Sequence, residues 1–325
     1  MMGGWGRAGA TRPGEVQADD AGRMMGKARP GGGPKPVPEG PQVRTMTFVC
    51  DLFSPHEGSI SLAHLADNCR LCEDGHGIVG LSCQLSTPDA TRIVKRGQVK
   101  EARRHFAHQA QLRLSLPSSP NLSVKVFSTG RLQIAGCHDE ASCIEAVKIV
   151  AEALNEIQAD FPEIVKRQVK SVNGGAGQRL EGKMDMSELP SPRIVMINCS
   201  FDSGMGALGY GLDPHRLTDL LLTIQRTTNC VEDVAYNPEQ RYTGVKVKFK
   251  PTPAAGLSRG AGGTDREVFI GMFPSGKTVI TGAVKWEEVN QSYEFARSVL
   301  CDNFEMLRVP LTESPGPPRK KARKV

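Results

Sequence analysis

One ten-residue pattern occurs twice in this chain of 325 residues. Phe127-Ser-Thr-Gly-Arg-Leu-Gln-Ile-Ala-Gly136 lies over Phe273-Pro-Ser-Gly-Lys-Thr-Val-Ile-Thr-Gly282. Phe, Gly, Ile and Gly coincide, and Thr/Ser and Arg/Lys exchange between them. Each copy reads as two short strands around a tight glycine turn, a hairpin signal. Each is followed by an amphipathic helix: Asp139–Ile157, with Ile144, Val147, Ile149, Val150 and Leu154 apolar, and Glu287–Arg308. The upstream order also recurs. A strand at Val43–Cys50, a helix at Ser59–Asn68 and a strand at Ile78–Leu85 precede the first hairpin. A strand at Arg193–Phe201, a helix at Pro214–Gln225 and a strand at Val245–Phe249 precede the second. A duplicated unit of this kind restricts the fold to two similar halves that bury their apolar faces together.

Composition limits the remainder. The 35 Gly and 22 Pro concentrate outside these patterns. Residues 1–42 carry almost no β-branched or aromatic side chains and cannot offset their ordering entropy, so disorder is expected there. The net charge of +6 is uneven: residues 1–42 hold six basic and four acidic side chains, and residues 311–325 hold five and one. The stretch 43–310 is then neutral. No run approaches the ~18 apolar residues of a membrane span. The N-terminal composition resembles neither a secretory signal nor a transit peptide. Nine scattered cysteines read as reduced thiols packed as small hydrophobes, not as a disulfide framework.

Met272-Phe-Pro-Ser-Gly-Lys-Thr-Val-Ile-Thr-Gly-Ala283, together with Tyr236-Asn-Pro-Glu-Gln240 and Tyr242-Thr-Gly-Val, resembles the repeat signature of the TATA-box-binding proteins. The resemblance covers roughly residues 43–310. It implies an α+β, pseudo-twofold saddle of two βα repeats, with a curved antiparallel sheet and long helices on its convex face. The first repeat would span 43–192, with insertions at about 86–120 and 160–192, and the second 193–310, followed by a basic tail at 311–325. Residues 86–120 read as a Lys/Arg-rich stretch of helical character and then a Ser/Pro loop.

The resemblance further implies a DNA-binding general transcription initiation factor that binds A·T-rich minor groove and nucleates preinitiation complex assembly. The alternative is a protein-interaction module with weak or no DNA bending. A minor-groove binder needs apolar wedges, small and hydroxyl side chains, and a few amide donors on one sheet face. By alignment the wedges are Phe127 and Ile78 in the first repeat, and Tyr242 and Phe273 in the second. Phe127 and Phe273 could equally be core residues; their position before a glycine turn favours the wedge role. Thr45, Thr47 and Asn198 fall at the centre, and Val279 and Thr281 on the groove-facing hairpin strand. Lys125 and Gly271 stand where the family has Leu. Pro238 and Glu239 match the family's contact for transcription factor IIB. Other general factors and, indirectly, the polymerase machinery are implied partners. Arg92, Lys95, Arg96, Lys100, Arg103 and Arg104 form a basic stretch that could meet phosphates or simply be solvated.

Weaker signals point elsewhere. Gly204-Met-Gly-Ala-Leu-Gly209 is a literal dinucleotide-site pattern, but Gly211 and Pro214 interrupt any helix beyond it. Cys69, Cys72 and His76 lack the second ligand pair of a structural zinc site. No convergent catalytic constellation, cofactor or metal is expected. Arg319, Lys320, Lys321, Arg323 and Lys324, primed by Pro317 and Pro318, read as a nuclear import signal. Replacing Lys320, Lys321, Arg323 and Lys324 with alanine is expected to leave a fluorescent fusion in the cytoplasm; unchanged nuclear accumulation would refute that assignment.

Overall fold

The computed structural model describes residues 34–53, 58–86, 90–99, 108–168, 179–180, 184–239, 242–252 and 266–311. The chain divides after Lys35, and every element lies in the unit Pro36–Val325. The expectations for residues 1–33 and for the basic tail beyond Leu311 lie outside the described residues.

The elements run in two series. The first is β1 (Gln42–Asp51), β2 (Gly58–Ile60), α1 (Leu62–Asn68), β3 (Gly77–Ser86), β4 (Thr91–Gly97), β5 (Gln109–Ser115), β6 (Leu122–Phe127), β7 (Arg131–Cys137), α2 (Glu140–Asp160), β8 (Val165–Gln168) and β9 (Arg179–Leu180). The second is β10 (Arg193–Asp202), β11 (Tyr210–Leu212), α3 (Pro214–Thr227), β12 (Val231–Ala235), β13 (Val245–Phe249), β14 (Val268–Met272), β15 (Lys277–Ala283), α4 (Trp286–Asp302), α5 (Phe304–Leu307) and β16 (Arg308–Pro310). The fold is α+β. An 11-stranded sheet has the order β12-β13-β14-β15-β10-β1-β7-β6-β5-β3-β4, with every neighbour antiparallel.

Read outward from the central β10–β1 pair, the two sides carry corresponding strands, and β4 is an addition at the first edge. The turns correspond in detail. Gly130 N donates to Phe127 O and Gly276 N to Phe273 O, each at 2.9 Å, and both glycines have φ of +82°. Only a residue without Cβ adopts that conformation readily. Leu52 N donates to Gly130 O, as Ser203 N does to Gly276 O. Ser61 and Asp213 cap α1 and α3, and their N–H groups donate to Ile164 and Leu307 carbonyls.

Alternation sets the two faces of the sheet. Paired residues share a face, and the chain of pairs Leu81–Leu112–Val124–Ile134–Phe48 is buried. The same holds for Cys199–Ile280–Ile270–Val247. Helices cover this side. Phe201 meets Tyr293 of α4 edge-on at 4.9 Å, and Phe249 stacks on Phe295 of α4 at 4.8 Å. Leu154, Val150 and Ala151 of α2 and Leu65 and Ala66 of α1 join the same core. Helix entry is set locally. Asp139 accepts from Ser142 N, Asp213 accepts from His215 N and Arg216 N, and Glu288 accepts from Val284 N.

Two sequence expectations change. Residues read as a helical basic stretch form strand β4, because β3 offers it a complete antiparallel ladder from Gly80–Gly97 to Ser86–Thr91. Residues 100–107, with Lys100, Arg103 and Arg104, lie outside the described residues. The helix expected through Arg308 stops at Asp302; Asn303 interrupts it, and Arg308–Pro310 instead pairs with β11.

Thr278 faces this core between Phe201 and Met272, fully buried, and among the described residues its hydroxyl has no hydrogen-bond partner. A buried unsatisfied hydroxyl costs about 1–3 kcal/mol. Thr278→Val is expected to raise stability by about 1 kcal/mol in urea unfolding; a clear loss would show that the hydroxyl is bonded.

Candidate nucleic-acid interface

Among the described residues no helix packs on the opposite face of the sheet. Its surface in the second half is aromatic and small. Alternation along β14 places Phe269 and Gly271 on it, with Phe273 following at the turn. Tyr242 precedes β13 and lies back across this strand. Its ring is 5.1 Å from that of Phe273 and 6.4 Å from that of Phe269, and the Lys246 ammonium sits 4.9 Å from its centroid. Gly271 makes this placement possible, since a Cβ there would overlap the Tyr242 hydroxyl. Gly244 likewise leaves room for the Phe273 and Tyr242 rings. Burial raises the Tyr242 phenol pKa above its ordinary value. The space above Gly271 is therefore filled by a tyrosine from the neighbouring loop.

At the centre, Asn198 Nδ2 donates to Thr45 Oγ1 at 3.0 Å across the β1–β10 pair, and the Thr281 hydroxyl donates to Asn198 Oδ1. Thr281 also approaches the Met196 sulfur at 3.8 Å. Thr45, Asn198 and Thr281 thus form one polar chain that spans the seam. Thr47 shares the face but is only 4% exposed, between Met196 and Ala135. Val279 lies between Ser200 and Gly271.

The first half is chemically different at matching positions. Phe127 precedes its turn with Lys125 and Ser123 behind it, where the other half has Gly271 and Phe269. One row of paired residues crosses this half: Val49, Gln133, Lys125, Gln111, Ser82 and Lys95. The corresponding row in the second half is Ser200, Val279, Gly271, Lys246 and Ala235.

Ile78 is not on this face. It pairs with Leu114, is 2% exposed and belongs to the helix-covered core, at the place that Val231 holds in the second half. Its expected role as a wedge is incorrect. Val245 pairs with Met272 as Ala110 pairs with Val126. The position matching Tyr242 is therefore Ala107, outside the described residues. Phe269 was missed although period-two alternation back from Phe273 points to it. Pro238 and Glu239 are exposed after β12, in a turn closed by Glu239 N donating to Asn237 Oδ1. Gly204–Gly209 forms a short 3-10 turn ended by left-handed Gly209, with no helix to hold a phosphate.

Charge is segregated across the sheet. Lys95, Arg113, Lys125, Lys246 and Lys248 lie on the uncovered face with Asp233 among their paired neighbours, and the same alternation adds two balanced couples at the hairpin ends, Asp51 with Arg131 and Asp202 with Lys277. Lys248 also reaches Glu267 at 3.4 Å. On the covered side, α2 carries Glu140, Glu145, Glu152, Glu156 and Asp160 against Lys148, and α4 carries Glu287, Glu288, Glu294 and Asp302 against Arg297. Arg92 and Arg96 also turn to the helix side, where they hold Asp67 and the carbonyls of Ala66 and Asp67. The neutral average of residues 43–310 therefore hides a cationic face.

The chain is similar to the TATA-box-binding protein-like protein of Acanthamoeba polyphaga mimivirus, with 22% identity over 277 residues, 82% of this chain and 67% of that protein. This likeness supports a TATA-box-binding-protein-like family for the chain. Among solved structures it is similar to Methanococcus jannaschii TBP, with a TM-score of 0.44 and 16% identity over 80% of this chain and 97% of that one. No protein-family model matches the chain.

The overlap at Gly271 involves only the far end of the Tyr242 side chain, which can move without backbone change. Gly271→Ala is expected to fold and to lift the ring into solvent. The Tyr242 phenol pKa then falls back towards its ordinary value, measurable by ultraviolet titration against Tyr242→Phe. An unchanged titration would mean the ring does not rest on Gly271.

Proposed function

We propose that this chain binds A·T-rich duplex DNA through the minor groove and nucleates assembly of a transcription initiation complex. The observation that carries the reading is the uncovered sheet face. It combines an aromatic cluster, a central hydroxyl–amide chain and five cations, while the acidic helices lie on the other side. Minor-groove binding by a sheet requires this division. Wedges open base steps at a cost of a few kcal/mol each, which is offset when the bent duplex meets more protein surface. Cations then gain affinity by releasing counterions from phosphates.

In this reading the sheet curves as a saddle around the duplex. Phe273, packed against Tyr242 and Phe269, is the principal wedge, and Phe127 is the weaker one at the other end. Thr45, Asn198, Val279 and Thr281 meet the groove floor, while Thr47, buried between Met196 and Ala135, supports them from below. The exposed Pro238–Glu239 turn is the docking point for a transcription factor IIB-like partner, and the protein acts in the nucleus. No enzymatic role is proposed. The second reading, a protein-interaction module without DNA bending, draws support from the first half, where Lys125 and Ser123 replace Gly271 and Phe269 behind the hairpin Phe.

Titrating end-labelled A·T-rich duplexes at several salt concentrations, with energy transfer between the ends, separates the two. Bending together with a salt slope that falls in magnitude by about 0.9 in Lys125→Ala is expected for minor-groove binding. A flat salt response without bending supports the module. Phe273→Ala is expected to weaken binding at least tenfold, about 1.4 kcal/mol, and by more than Phe127→Ala. Equal losses would refute the primacy of the second half.

A further inference from the structure

We infer that the two halves of the face select different base pairs: the second half admits only A·T, whereas Gln133 and Gln111 let the first half admit G·C. The inference rests on the minor-groove reading and adds a sequence preference to it. In the minor groove A·T and T·A pairs display acceptors only, and a G·C pair adds the guanine N2 amino donor. A surface tolerates that donor if it offers an acceptor, and rejects it if the donor would be buried without a partner.

At the Val279 and Lys246 registers the second half offers no acceptor; further along the row the Ser200 hydroxyl is already engaged by the Arg44 guanidinium, and the Tyr242 hydroxyl is turned onto Gly271. Val279 and Gly271 carry none, Phe269 and Met196 are apolar, and Lys246 only donates. The one amide oxygen nearby, Asn198 Oδ1, already accepts from Thr281. A guanine amino group pressed against Val279 or Lys246 loses its water and gains no partner there.

The first half differs at the same two registers. Gln133 stands where Val279 does, and Gln111 where Lys246 does. Gln111 donates its amide nitrogen to Ser123 Oγ at 3.1 Å, which leaves its oxygen available to accept. Gln133 is half-exposed, and its amide has no partner among the described residues, so it can donate to an adenine or thymine acceptor or accept from guanine. Lys125 lies between the two in the same row, placing a cation beside both amides.

The test uses the full chain and a duplex selected for binding, into which a single G·C pair is moved step by step. An inosine·C pair at each position is the control, because it lacks the N2 amino group and leaves the rest of the minor groove as in A·T. At one end of the site, G·C and inosine·C duplexes are expected to bind within about threefold of each other; at the other end, G·C binds at least about tenfold more weakly. In the Gln111→Leu/Gln133→Leu double variant, inosine·C binding is retained and the tolerant end acquires the tenfold penalty. Gln111 is exposed and Gln133 partly exposed on their strands, and circular dichroism checks that the variant folds. An equal penalty at both ends, or a tolerant end unchanged in the variant, overturns the inference while binding to A·T duplexes keeps the functional reading intact. Failure to bind any duplex overturns both.

Discussion

The ladder between β1 and β10 is the contact on which the rest of the molecule depends. It runs from Gln42–Ser200 to Val49–Arg193 and joins two half-sheets into one. Each half alone has a single layer of helices and an open strand edge, a poor way to remove apolar surface from water and a risk for association. Joined, they share one continuous core in which Met46 of one half pairs with Ile197 of the other. The same seam places Thr45 against Asn198, so the polar centre of the uncovered face is also a product of the join.

Packing the described helices on one face has an electrostatic consequence. The helices must expose an outer surface, and α2 and α4 make theirs acidic. The other face of the sheet stays available and carries the cations. A net charge near zero is then compatible with a strongly polar molecule whose two sides attract different partners. The two ends of the uncovered face differ by substitution at matched registers: Gly271 against Lys125, Phe269 against Ser123, Val279 against Gln133. The backbone is nearly equivalent at these sites, down to the φ of Gly130 and Gly276. The asymmetry resides in side chains and not in the frame that holds them.

Much of the frame was legible in the sequence because it rests on local signals. Hairpins announce themselves by glycine at the turn, and helices by capping residues and periodicity. Phe127 and Phe273 therefore fell at matching places. Ile78 did not, for a physical reason. Every residue from Ile78 to Cys83 is buried on one face or the other, so alternation gives no direction, and only its pairing with Leu114 settles which side it faces. Strand β4 was similarly hidden. Its Lys and Arg content carries no strand signal, and its conformation comes from the edge that β3 presents.

By itself the sequence determined the duplicated order of elements, the turns and the placement of Phe273 before the second hairpin turn, all of which follow from interactions within a few residues. The tertiary structure alone decided which side chains share a face across strands distant in the chain. That included the burial of Ile78, the folding of Tyr242 over Gly271, the row of Gln133, Lys125 and Gln111, and the separation of cations from the acidic helices. These are matters of register between strands, and register is set by the packing of the whole core, because a slip of one residue would exchange the two faces of a strand.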